Sequence, residues 1–125
     1  MSYYLSAAEQ GNVNAQYRIG LYYSKGQGVE QNWFKAIDWM VQSARGGNNH
    51  AEFFLSDCYF NGKGVKQNDA EAIKWLRQAA EHDNTYTQAS LSLFYKNGEY
   101  VKKDEKLSKI WMDKAIKNGY APSEE

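Results

Sequence analysis

The chain has 125 residues, enough for one domain with a core of its own. It is 42% hydrophobic, 24% charged and 15% aromatic, which separates it from disordered and membrane-embedded sequences. Its 15 Lys and Arg balance 15 Asp and Glu, so it lacks the basic excess a nucleic-acid binder sets against phosphates, and its single cysteine, Cys58, excludes an intramolecular disulfide.

The opening Met-Ser-Tyr-Tyr-Leu carries no basic stretch leading into an apolar one, and no run of about 18 apolar residues follows. No membrane insertion is expected, and the expected compartment is the cytoplasm, or the periplasm or exterior for a chain whose leader has been removed. Tyr3 lies 36 residues before Trp39, and Ala8 lies 36 before Ala44. Residues 1–10 therefore read as the second helix of an incomplete leading unit.

The same 36-residue step runs on through Tyr23, Tyr59 and Tyr95, through Gly26, Gly62 and Gly98, through Val29, Val65 and Val101, and through Trp39, Trp75 and Trp111. It divides the chain into units at 11–46, 47–82 and 83–118, with a tail at 119–125. In the first unit Ala15, Ile19, Tyr22 and Tyr23 form one stripe of a helix over 12–24. Gly26 then supplies a left-handed C-terminal cap, and Gly28 lets the loop double back so that Val29 tucks beneath it. Asn32 caps a second helix that buries Ala36, Ile37, Trp39, Met40 and Ala44.

The second unit repeats this with helices over 48–60 and after Asn68, where Glu71 adds a capping-box signal. The third has a helix over 85–96 and another after Asp104, but its pattern is worn: Thr87 stands for Ala, Tyr100 for the second Gly and Ser108 for Ala. Asp83 stands where Gly11, Gly47 and Gly119 keep the step. Residues 121–125 are expected to fray.

These residues resemble the Sel-one-like repeat, a relative of the tetratricopeptide repeat. Ala15, Ile19-Gly20, Tyr23, Gly26-Gln27-Gly28-Val29, Asn32, Ala36, Trp39, Ala44 and Gly47 carry the pattern in the first unit. Ala51, Leu55, Tyr59, Gly62-Lys63-Gly64-Val65, Asn68, Ala72, Trp75 and Ala79-Ala80 carry it in the second, with Ser56 where glycine is usual. The resemblance implies an all-α, right-handed α-solenoid of antiparallel helix pairs. It also implies an adaptor or scaffold that places proteins in complexes, often in bacteria. Some cysteine-rich relatives are linked to β-lactam binding or hydrolysis, but this sequence lacks those cysteines.

No catalytic constellation emerges from the residues. His50 and Asp57 are seven apart on one helix face, too far for a direct bond, and the carboxylates scatter as on a solvated surface. His50 and His82 read as surface or capping residues, and Cys58 as a buried, inert thiol. Gly26-Gln27-Gly28 and Gly62-Lys63-Gly64 follow a helix C-terminus, where the dipole repels anions, so they read as caps and not phosphate loops. No catalytic residue, cofactor or metal site is expected.

Three aromatics fall out of the shared step. Trp33 aligns with Asp69 and Glu105, Phe54 with Arg18 and Ser90, and Phe60 with Ser24 and Lys96. Positions that do not stay apolar are expected to be at least partly exposed and to offer interface anchors. In helix-pair solenoids the first helices line the concave side. That face is expected to present Asn14, Tyr17, Arg18 and Leu21, then His50, Phe53, Phe54 and Asp57, then Ser90 and Leu93. The reading is a non-catalytic module that holds a protein or peptide there, with a homodimer through the repeat ends as a possible assembly. One alternative is an immunity or inhibitor protein with a single enzyme partner, and a more distant one is a β-lactamase-like hydrolase.

Overall fold

The computed structural model describes residues 2–121; most of the tail expected to fray, 122–125, lies outside the described residues. Among the described residues there are seven α-helices and no strand: α1 (Ser2–Glu9), α2 (Val13–Lys25), α3 (Trp33–Arg45), α4 (Asn49–Asn61), α5 (Asp69–Glu81), α6 (Thr85–Asn97) and α7 (Glu105–Lys117). The pairs α2/α3, α4/α5 and α6/α7 pack most extensively, and each pair then stacks on the next. The architecture is an all-α solenoid of helix pairs.

Helix ends are fixed by side chains. The carboxamide oxygens of Asn12, Asn48 and Asn84 accept from the amides of Ala15, Ala51 and Thr87, and so start α2, α4 and α6. Asn32, Asn68 and Asp104 do the same for α3, α5 and α7. Gly26, Gly62 and Gly98 close the first helices at φ 69°, 68° and 69°, a conformation that glycine takes without a Cβ penalty. The expected capping box at Glu71 does not close. The Asn68 amide that its carboxylate would reach already donates to the Tyr59 carbonyl at 2.9 Å.

The interior is three clusters, one at each joint between successive units. Ala8, Ala15 and Ile19 form the first. Ile37, Met40, Ala44, Ala51, Leu55 and Cys58 form the second, and Ile73, Leu76, Ala80, Leu91 and Tyr95 the third. Trp39, Trp75 and Trp111, expected inside, are instead half-buried, each packed against the rim of one cluster. They cover the seams of joints whose centres are filled by other side chains. Gly20 lets α2 approach α3 closely, since a Cβ there would lie 2.8 Å from Met40 Cε.

Candidate functional site: the outward face of the first helices

The outward faces of α2, α4 and α6 carry the residues singled out in the sequence. Asn14, Arg18, His50, Asp57 and Leu93 are exposed, whereas Tyr17, Leu21, Phe53, Phe54 and Ser90 are half-buried at the edges of the same face. Helical periodicity explains the split. His50 and Asp57 lie opposite Ala51, Glu52, Leu55 and Ser56, which turn into the joints.

Half-buried rings meet exposed ones across the units. Tyr17 of α2 faces His50 of α4 with ring centroids 5.8 Å apart, and Phe53 of α4 faces Tyr86 of α6 at 5.2 Å. Both pairs are 33 residues apart, so each first helix hands one ring to the next. Asn48 Nδ2 donates to Asn14 Oδ1 at 3.1 Å beside this strip, and Asn61 Nδ2 donates to Asp57 Oδ1 at 3.0 Å farther along α4.

The three out-of-step aromatics are all partly covered. Trp33 and Phe54 stack with centroids 6.2 Å apart and pack against the second cluster, and Lys63 Nζ lies 5.9 Å from the centre of the Trp33 ring. Phe60 joins Phe94 at 6.2 Å and Tyr100 at 4.9 Å. Trp33, Phe54 and Phe60 are therefore seam residues with one side open. Tyr86 and Phe94, not singled out in the sequence, complete these groups with Tyr100, noted there only as standing for a glycine. The signal for Tyr86 was its place 33 residues after Phe53. Tyr100 keeps φ 62° where Gly28 and Gly64 have 72° and 74°, so its ring is held out at a backbone cost.

The polar interior departs from the expectation of a purely solvated charge pattern. Glu52 is fully buried, and His82 Nδ1 lies 2.7 Å from its Oε1. Among the described residues this is the only acid–base contact within ion-pair distance, and it is an ion pair only when His82 is protonated. Thus His82, expected as a surface or capping residue, holds the α5 C-cap with its backbone and reaches a buried carboxyl with its ring. Burial pushes the Glu52 carboxyl above the ordinary glutamate range; the His82 hydrogen bond and charge oppose that shift, and Glu81 adds to it.

The repeat explains the geometry. Glu52 occupies the position of Gln16 and Gln88, whose Nε2 atoms donate to the carbonyls of Ala8 and Ala80. Asn118 bonds Gln88 as His82 bonds Glu52, whereas Gly46 leaves Gln16 Oε1 without a partner. Glu52 Oε2 has no partner either. By the 36-residue step the carbonyl that corresponds to those of Ala8 and Ala80 is that of Ala44, which a carboxyl can approach favourably only as a donor. Cys58 is 2% exposed, and burial, with the nearby Asp57 charge, pushes its thiol up to about 12, which leaves it protonated and unreactive. Among the described residues no three His, Cys, Asp or Glu side chains are grouped to hold a metal, and no helix is long and apolar enough to cross a membrane.

Comparison with known proteins places this arrangement. The Sel1 repeat family model matches residues 1–12, 13–48, 49–84 and 85–120. A Sel1 repeat protein from Oxalobacter formigenes shares 34% identity over 94% of this chain and 88% of its own, with a TM-score of 0.88. The protective antigen c5321 of uropathogenic Escherichia coli shares 37% identity over 96% of this chain, which spans 26% of that protein, with a TM-score of 0.85. Helicobacter pylori cysteine rich protein B, 23% identical over 95% of this chain and 85% of its own, shares the fold at a TM-score of 0.72. No curated protein matches. With its caps, its joints and nearly all of its length accounted for by four matched segments, the chain belongs to the Sel1 repeat family.

Proposed function

We propose that the chain is a non-catalytic interaction module that holds a protein or peptide against the outward, concave face of α2, α4 and α6. Sel1 repeats are typically protein–protein interaction modules. The observation that carries the reading here is the two ring pairs Tyr17–His50 and Phe53–Tyr86, which together span three units and stand half open to solvent. Such rings offer apolar area at low conformational cost, while Arg18 and Asp57 beside them can fix a partner's register. Asn14, Leu21, Phe54, Ser90 and Leu93 fill out the surface.

The test is co-purification from the native source with paired variants. Arg18→Ala/Asp57→Ala/Leu93→Ala removes three exposed side chains of this face and should abolish recovery of the partner with the helical signal intact. Phe34→Ala, on α3 and 76% exposed, should leave recovery unchanged. Loss with Phe34→Ala and retention in the triple variant would move the site to the second helices. Recovery of one tight enzyme partner would mark the inhibitor alternative, and several weaker partners would mark an adaptor.

A further inference from the structure

Away from the first-helix face, the second and third units form a groove of about 460 Å³ lined by Arg77, Tyr95, Val101, Lys102, Lys103, Asp104 and Leu107. We propose that this groove binds an acidic segment of a protein partner, seating one or two carboxylates on Arg77, Lys102 and Lys103 and an adjacent apolar side chain on Val101 and Leu107.

The repeat provides an internal comparison. The three cationic positions are Leu5, Glu30 and Gln31 at the first unit, Val41, Lys66 and Gln67 at the second, and Arg77, Lys102 and Lys103 at the third. The formal charge at these positions rises from −1 to +1 to +3 in a chain whose net charge is zero. The equivalent groove of the first unit, with Tyr23, Val29 and Asn32 in place of Tyr95, Val101 and Asp104, carries Glu30 and Lys35.

A structural bond has also been given up for the charge. Gln31 Nε2 donates to the Ser24 carbonyl at 2.7 Å, and Gln67 Nε2 donates to the Phe60 carbonyl at 2.9 Å, so each locks its loop to the end of a first helix. Lys103 takes that position in the third unit and makes no corresponding bond to Lys96 among the described residues. Arg77 is aimed by its neighbour, since its Nη2 donates to Tyr95 Oη at 3.1 Å. None of the three cations has a carboxylate within ion-pair distance among the described residues. Asp104 keeps its charge while its Oδ1 accepts the Leu107 amide in the α7 cap, so the lining as a whole carries a formal charge of +2. A guanidinium and two ammonium groups in one groove with the apolar Val101 and Leu107 complement carboxylates next to a Leu or Val. The neutral overall charge favours an acidic protein over a nucleic acid.

The test is a ¹⁵N-correlation titration with the peptide acetyl-Asp-Glu-Leu-Asp-Glu-amide and its neutral Asn/Gln counterpart. The acidic peptide should shift the amides of 98–107, and the neutral one should not. Raising the salt from about 0.02 to 0.3 M should weaken binding about tenfold. Lys102→Glu/Lys103→Gln, which writes the first-unit residues into the third, should abolish the shifts. Arg77→Val, which copies Val41, should weaken them and keeps the test open if the double variant does not fold. Equal shifts from both peptides, shifts confined to the outward faces of α2, α4 and α6, or unchanged binding in the folded variants would overturn the proposal. So would tighter binding of a single-stranded RNA of equal charge.

Discussion

At the scale of single residues, each position can be judged against its copies one unit away. Glu52 is the odd member of the Gln16, Glu52, Gln88 set, and Glu52→Gln should restore a donor to the Ala44 carbonyl. A gain of about 0.5–1.5 kcal/mol is expected at neutral pH, read by urea denaturation. The pH dependence follows from the sign of the shift. Burial places the folded-state pKa of Glu52 above its unfolded value, so the folded protein holds the proton longer. The stability this carries is complete below the unfolded pKa and is lost as pH rises through the folded one. The wild type should therefore lose stability from the ordinary glutamate range upward, and Glu52→Gln should flatten that part of the profile. An unchanged profile would show that folding does not raise the Glu52 pKa. Ser56 is a second odd member: its hydroxyl is buried with no partner, whereas Ser92 Oγ donates to the Ser108 carbonyl at 2.7 Å. Ser56→Ala should gain about 1 kcal/mol, seen as a higher thermal midpoint.

At the scale of elements, the helices were legible because their stops and starts are chemical. Gly26, Gly62 and Gly98 and the caps Asn32, Asn68 and Asp104 sit at one step, and the helix ends follow them. Asp83 shows the same rule by departing from it. It holds φ 65° where Gly11, Gly47 and Gly119 have 93°, 91° and 101°. Asp83→Gly should gain about 0.5 kcal/mol in urea denaturation, the relief of a left-handed Cβ less the added freedom of the unfolded glycine. What the sequence hid lies between elements. Glu52 meets His82 at a separation of 30, and Phe53 meets Tyr86 at 33. Contacts across a joint do not fall at the repeat length itself, because a helix touches its neighbour with an offset set by how the units stack. A search at 36 finds equivalent residues and misses touching ones. The tryptophans show the converse, as identical phase marks an equivalent position without marking a buried one.

At the scale of the whole molecule, three joint clusters in place of one centre make the chain quasi-one-dimensional, with stability carried by nearest-neighbour interfaces. Leu55 is fully buried in the middle joint. Leu55→Ala should cost about 2–5 kcal/mol and broaden unfolding, as the units on either side lose their coupling. A small cost with one sharp transition would mean that the clusters act as a single core. Neighbouring units join through half-buried rings as well as buried alanines, and the proposed binding face uses those same rings. Hydrogen–deuterium exchange of the protein alone and with its co-purified partner tests this most directly. Binding should protect 14–21, 50–57 and 86–93 on α2, α4 and α6, and protection confined to α3, α5 and α7 would contradict it.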